Sequence, residues 1–459
     1  MILRTSLLSA LLFCAAVPAF ADTFVVTSTA NEGKGSLRAV LAAAEASGGT
    51  SFIVIDSPGD IAISETLVYE GAAPLSIIGE NQAVTSKRNI TLLAVINGAD
   101  LDVARLGFKG PGGFSITARD KNRAGKGVFV AVPADKTGTV SLRLDTVLVE
   151  GVAGHGIHVS DCVLADDCGT SGSAASISVA LQDVTVTDVG NGTLDADGLR
   201  VDERGPGDIT ARFASSRFTG IGADGVELDE GQEGSVIVQA FDTSFDFNGI
   251  YCHPDVLEAY LPYPDYAAFD QGARERGDIP AKVIGSPDDA CIEREVDLYD
   301  NGSVASYEFS IDVDDGFDVD ETGPGRIVAS LLDVNVIGNL DEGIDFDEED
   351  SGSIHLTVIG GSYSSNSDDG IKLSEEDAGG IGATLVGVEA LANGSKGFVF
   401  EEEDAGNLFI SVVNSMASGN DDGNKTGLEA QQDDAGRGVV TFVGPALADG
   451  IDADGVSVN

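Results

Sequence analysis

The chain has little positive charge. Its 459 residues include 26 lysines and arginines against 76 aspartates and glutamates, a formal net charge of −50. A field of that sign repels nucleic-acid phosphate and anionic lipid, which excludes both as partners. Long apolar runs are absent after the first twenty residues, so no later segment reads as a membrane-spanning helix. No Cys-x-x-Cys pair occurs, and the cysteines lack zinc-site spacing. The chain has neither an EF-hand loop nor the glycine-rich nonapeptide calcium repeat, so any calcium site must be assembled another way. Tryptophan is missing altogether.

The chain opens with a short basic start at Arg4, an apolar run from Leu7 to Ala16 and the small-residue pattern Ala19-Phe20-Ala21. This is the pattern of a secretory signal peptide spanning 1–21, and the apolar run is too short to cross a membrane. Cys14 lies inside the run, behind Phe13, where a lipoprotein cleavage site would need a small residue. Four cysteines follow, and local closure in an exported chain pairs them as Cys162–Cys168 and Cys252–Cys291. The expected location is secreted or periplasmic, with no membrane insertion after cleavage.

With 59 glycines and 42% apolar residues spread along its length, the chain is not a disordered acidic tail. Gly198 and Gly225, then Gly316, Gly343, Gly370 and Gly397, recur at intervals of 27, and Gly427 follows after 30. Gly127 and Gly156 fit with looser spacing, and Gly455 is a candidate start for a last partial turn. A second glycine stands nine residues after each anchor, at 207, 234, 325, 352, 379, 406 and 436. After the anchor, positions one and three are apolar and positions two and four mostly polar, as in "GVELDE" and "GIDFDE". That alternation specifies a strand with one buried face, and helical periodicity is lacking. Two or three short strands per 27 residues describe a solenoid. Val201, Leu228, Val319, Phe346, Leu373 and Phe400 are expected to stack inside it.

The segment "GKGSLRAVLAAAEASGGTSFIVIDSPGDIAI", with "LSIIGE" from Leu75 to Glu80, resembles the capping segment and first coils of right-handed parallel β-helix proteins of the pectate-lyase-like superfamily. The resemblance implies an all-β right-handed parallel β-helix whose open end is covered by a helix running from Leu37 to about Ala46, capped by Ser36. It also implies the habit of characterised members, which act on polysaccharides in a groove along one strand face. "GHG" at 154–156 and "SDDGIK" at 367–372 resemble fragments of polygalacturonase motifs in the wrong order and spacing. Their catalytic roles are therefore not carried over. The arginine-proline motif of pectate lyases is absent. The expected organisation is a cap and first coils over 22–110, coils over 111–249, a disulfide-clamped insertion over 250–313, and coils to the C-terminal end over 314–459.

Alternation places Asp345 and Asp347 outward. Positions two, four and five after each anchor, with the residue before it, are read as one acidic outer face. Like charges stacked about 4.8 Å apart repel by about 1 kcal/mol in bulk water and by several near a protein surface. Bound Ca²⁺ would offset this, with Asp318, Asp320, Glu321, Asp345, Asp347, Glu348, Glu401 and Glu402 as candidate ligands; simple solvation and screening is the alternative. The chemically mixed patch is His155, His158, Asp197, Arg200, Asp202, Glu203, Asp224, Glu227 and Asp229. It is either a catalytic site or a row of ion pairs that relieves the charge ladder. Tyr251, Tyr260, Tyr263 and Tyr266 form a candidate ligand platform or pack within the insertion, while His253 and His355 are isolated. Three functions remain open: a non-catalytic β-helix binding Ca²⁺ and a polysaccharide or cell-surface component, a polysaccharide lyase or glycoside hydrolase, or a structural surface protein.

Overall fold

Each strand of the repeat carries β-branched and aromatic residues at alternate positions, so one face must be buried. A strand of five or six residues cannot do this alone, and stacking coil on coil supplies the missing surface. The computed structural model describes residues 21–112, 124–162, 172–192, 195–252, 313–421, 423–444 and 447–459, together with the backbone of 292–298 and 304–311. The chain forms a right-handed parallel β-helix with three parallel ladders of strands. The first ladder runs from Leu67–Tyr69 to Gly450–Asp454. The second runs from Asp22–Val26 to Val456–Val458. The third, of short strands, runs from Leu148–Glu150 to Met416–Ser418. Two long early strands, Leu75–Thr85 and Leu101–Lys109, span the second and third ladders together. Between these ladders the chain turns through a left-handed residue in successive coils, including Asp183, Ser215, Asp242, Asp333 and Asn414.

Register is strict. Leu199 pairs with Val226, Val226 with Phe317, Phe317 with Ile344, and the series resumes as Ile371, Phe398 and Leu428. Val201, Leu228, Val319, Phe346, Leu373 and Phe400 are all fully buried in one internal row, as the alternation requires. The last first-ladder strand begins at Gly450, which pairs with Thr426, and not at Gly455. Gly450 follows Gly427 by only 23 residues, so a shortened last coil moves the anchor.

The helix spans Leu37–Ser47, with the Ser36 hydroxyl accepting from the Ala39 N–H at 3.3 Å and Gly48 closing it in the left-handed region. It buries Leu37, Val40, Leu41 and Ala44 against the first strands, covering their open end. The insertion contributes an antiparallel hairpin, Ile292–Leu298 with Val304–Ile311, that pairs outside the solenoid ladders. Residues 1–20, with Cys14, and Cys168, His253, Tyr260, Tyr263, Tyr266 and Cys291 lie outside the described residues. Cys162 and Cys252 are buried and neither is a free thiol.

Two polar ladders run through the interior. Asn248, Asn339, Asn366, Asn393 and Asn420 stack one per coil, each amide donating to the side-chain oxygen of the next at 3.0 to 3.3 Å. Asn420 ends the row by donating to Asp449 at 3.1 Å. The anchor glycines make this possible. A Cβ on Gly343 would stand 2.6 Å from the Asn366 amide nitrogen and 2.5 Å from the Gly370 carbonyl.

The second ladder corrects the sequence reading. Position five is not outward: Glu203, Glu230, Glu321, Glu348, Glu375 and Glu402 are each 0% exposed, paired coil to coil and ending at Gln432. The calcium candidates Glu321, Glu348 and Glu402 therefore sit in the interior. Alternation itself gives the reason, since position five shares the face of positions one and three. These carboxyls organise the bend that follows. Glu230 accepts from the Gln232 and Gly234 N–H groups at 3.2 and 3.1 Å, and Glu321 from Gly323 at 3.1 Å. The second repeated glycine follows, because a Cβ on Gly352 would collide with Glu348 Oε1. The side-chain oxygens of Glu203 and Glu375 meet no donor except a neighbouring carboxyl, which donates only when protonated.

Burial, reinforced by the adjacent carboxyls, pushes Glu203 and Glu321 up to about 10 and Glu375 up to about 9. Burial also lifts Glu348 and Glu402 to about 7. Folding thus takes up protons. The stability these groups contribute is complete below the unfolded glutamate pKa, near 4.5, and is lost as pH rises through about 7 to 10. Urea unfolding should therefore give lower stability at alkaline than at mildly acidic pH, and Glu375→Gln should flatten that dependence. An unchanged pH slope in the variant would remove the ladder as its source. Asn366→Leu should cost on the order of 3 kcal/mol in the same assay, because it orphans buried groups of Asn339 and Asn393. A cost no larger than that of an exposed substitution would show that the asparagine row is not cooperative.

Candidate functional site

Positions two and four of the first ladder face away from the interior, and strict pairing assembles them into two rows. His158, Arg200, Glu227, Asp318, Asp345 and Lys372 form one. Asp202, Asp229, Asp320 and Asp347 continue the other. The acids that precede the anchor glycines border them: Asp197, Asp224, Asp315 and Glu342 are all buried.

The N-terminal half is a closed ion network. Arg200 is its centre, donating from Nε to Asp202 Oδ1 at 2.7 Å and from Nη1 to Glu227, with Asp229, Asp195 and Asp197 at 3.5, 3.5 and 3.7 Å. Arg204 donates to Asp229. His158 Nε2 meets Asp202 Oδ2 at 2.6 Å, and its Nδ1 meets the Lys126 ammonium. His155 Nδ1 lies 3.1 Å from Asp197 Oδ2, and the two imidazoles are 4.7 Å apart. Lys126, Asp195 and Arg204 were not singled out from the sequence. Lys126 stands just before the anchor Gly127, a position read there only for its acids, Asp195 falls outside the positions used, and Arg204 stands one residue past them.

Burial sets the protonation of this patch. It drives His158 down to about 3, against the pull of Asp202, and drives His155 well below its ordinary value, with Lys126 and Arg200 adding to the effect. Both imidazoles are neutral near pH 7. Asp202 is the opposite case: burial works against its charge, but contacts with His158 and Arg200 outweigh it and hold the pKa well below the usual range. Glu227 and Asp224 are raised far above theirs, by burial first and by surrounding carboxylates. Asp229 rises to about 6 by burial, although Arg204 and Arg200 oppose it.

The C-terminal half carries an excess of acid. Glu227, Asp318 and Asp320 from adjacent coils each bring one carboxylate oxygen within 4.8 Å of the others. Asp315, Asp341 and Glu342 do the same beside the anchor glycines. Asp341 also escaped the sequence reading; the paired acids before "G" in "LDEG" and "SDDG" were the available signal. A third group, Asp195, Asp197 and Glu227, is already served by Arg200. Burial and mutual repulsion raise Asp318 and Asp347 far above the usual range and Asp320 to about 7. Asp315 Oδ1, Asp345 Oδ1 and Asp347 Oδ1 are buried without a hydrogen-bond partner. One cation relieves the next coil, where Lys372 Nζ contacts Asp345 Oδ2 at 2.6 Å and Glu342 at 3.7 Å. The remaining groups offer oxygen ligands only, and those fit Ca²⁺ better than a metal that seeks nitrogen or sulfur.

The structure thus joins His155, His158, Asp197, Arg200, Asp202, Asp224, Glu227 and Asp229 into one network and brings Asp318 and Asp320 onto its edge. Asp345 and Asp347 lie one coil further on. Glu401 is outward and half-buried but belongs to none of the three carboxylate groups. Tyr251 is only 5% exposed, with its N–H bonded to the Gly222 carbonyl at 2.7 Å, so it belongs to the solenoid wall and not to an open platform. His355 is exposed on the second ladder, away from this face.

No protein family and no curated protein matches the sequence. Solved structures similar in architecture include pectate lyase Pel9A, at a TM-score of 0.34 and 13% identity over 95% of this chain and 80% of that one. The catalytic unit of a thermostable GH87 alpha-1,3-glucanase from Streptomyces thermodiastaticus matches at a TM-score of 0.36 and 13% identity, over 96% of this chain and 70% of that one. The Dettilon tailspike protein matches at 0.34 and 10% identity, over 89% and 68%. These likenesses concern architecture and assign no activity. Among the described residues no helix is long and apolar enough to cross a membrane.

Removing Arg200 should leave buried Glu227 without its guanidinium, and Asp202 and Asp229 with His158 and Arg204 alone. Arg200→Met is expected to cost about 3–5 kcal/mol in urea unfolding near neutral pH. A loss below 1 kcal/mol would mean that the network is open to water.

Proposed function

We propose that the protein is a secreted, non-catalytic β-helix that binds divalent cations, Ca²⁺ by ligand chemistry, on the outer face of its first ladder. The cation-loaded face holds a polysaccharide or cell-surface component. The observation that carries the cation site is the convergence of Glu227, Asp318 and Asp320 oxygens within 4.8 Å. Three nearby carboxylates would repel strongly if all were ionised, and a divalent cation is the ligand that removes the penalty. Asp345 and Asp347 extend the same rows, with Lys372 closing them. A bound cation keeps open coordination positions and reduces the local negative charge of the face. Sugar hydroxyls and carboxylates suit such positions. Against catalysis stands the closure of the neighbouring network, in which both histidines are buried, neutral and engaged. The disulfides Cys162–Cys168 and Cys252–Cys291 complete this reading of an exported chain.

One observation favours an enzyme instead. On adjacent coils Asp202 is held ionised while Glu227 is pushed toward its neutral form. Two carboxyls with separated pKa values are the arrangement a glycoside hydrolase or lyase uses for acid and base work.

Thermal unfolding in EDTA, in millimolar Ca²⁺ and in NaCl of equal ionic strength tests the cation site. The midpoint should rise with Ca²⁺ well beyond the NaCl control, and Asp318→Asn with Asp320→Asn should abolish the difference. Equal shifts in both salts would mean screening alone and end the calcium reading. A glycan panel with Ca²⁺ present separates the functions. Retention without turnover supports binding, and sugar release lost in Glu227→Gln establishes the enzyme. With neither, a structural surface protein is left.

A further inference from the structure

Acid is distributed unevenly around the solenoid. Eight consecutive second-ladder strands, from Ala174–Gln182 to Gly438–Val443, contain no aspartate or glutamate, in a chain that has 76. Every first-ladder strand from Leu199–Glu203 to Thr426–Gln432 contains at least one. The acid-free face is also the apolar one. Phe241, Leu332, Ile359, Val386, Val413 and Val443 stand in one register row, and Phe241, Ile359 and Val443 are 48%, 45% and 55% exposed. Of thirteen large apolar side chains exposed among the described residues, nine lie on second-ladder strands. The row beside them begins at Arg212 and Gln239 and is uncharged from there on: Ser330, Thr357, Thr384, Ser411 and Thr441. A groove of about 440 Å³ opens at the N-terminal end, between Arg143, Arg212 and Phe241.

We infer that this face is a two-fold interface between two copies of the chain. An exposed apolar surface of this continuity marks a contact site. Charge narrows the occupant. A partner must approach a protein of net charge −50 through its neutral side and must itself be flat, apolar and uncharged over several coils. A second copy carries that surface, and an isologous pairing matches it to itself. Area agrees: eight strands about 4.8 Å apart and six residues long give about 700 Å² per copy, or about 1,400 Å² in all, within the roughly 1,200–2,000 Å² of stable interfaces. Pairing in this way leaves the first ladders away from the contact, separated by more than a Debye length of about 8 Å.

The purified protein should have twice the mass of its own chain, 47.0 kDa for the full sequence, by light scattering after size exclusion. Leu332→Lys combined with Ile359→Lys should halve it while leaving the circular dichroism and the Ca²⁺ response unchanged. Should that variant fail to fold, Thr357→Cys offers an independent readout, because an exposed thiol near the two-fold axis should cross-link two copies under mild oxidation. A monomeric wild-type protein, a dimer unaffected by the two lysines, or a monomer whose face binds a glycan probe would each overturn the interface.

Discussion

In-register stacking is the constraint on which the rest depends. Each coil lies on the next in register, at a spacing of 27 residues where no insertion intervenes, so strand side chains meet their own counterparts above and below. For Val201, Leu228 and Phe346 this is favourable without further provision, because apolar residues pack well against copies of themselves. For asparagine it is also favourable, since one amide carries both donor and acceptor and can pass a hydrogen bond along the column. A carboxylate is the exception, because it only accepts. A column of carboxylates must obtain protons, cations or basic side chains.

The molecule uses these solutions in different places. The interior glutamate row is held largely by protons and by backbone N–H groups of the following bend. On the outer face near Arg200 and Arg204, guanidinium groups interrupt the acid rows and hold Asp202 ionised within a nearly dry network. At Asp345 the solution is Lys372. Between these basic groups, no ion pair among the described residues reaches Asp318 or Asp320, and there the carboxylate oxygens converge. The proposed cation site is therefore the stretch of the repeat where built-in positive charge runs out.

The second ladder shows the same rule without the charge. Its outward rows repeat threonine, serine and branched apolar residues, which stack on themselves at no electrostatic cost. The result is a protein with two contrasting long faces, one acidic and polar, the other neutral and partly apolar. Such a division separates a surface for ions and ligands from a surface for association.

Much of this was legible in the sequence. The 27-residue spacing of glycines, the alternation after each anchor and the Ser36 cap determined the solenoid, its internal apolar row and the covering helix. All three are local or periodic signals, and stacking converts a sequence period directly into a spatial column. The asparagine row has the same period and could have been found by aligning the second halves of the coils. What the sequence left undecided was which acids are inside. Position five belongs to the inward set by parity, yet glutamate there read as surface because burying an ionised carboxyl is so costly. Only the tertiary structure showed the neighbours that make the burial tolerable: the next coil's carboxyl, the turn N–H groups, and a glycine with no Cβ to block them. In the same way the sequence supplied Arg200 and its acids as a list. Their closure into one network, the convergence of Glu227 with Asp318 across the 86 residues between their strands, and the acid-free face were decided by coil pairing, because those distances depend on which strands lie side by side.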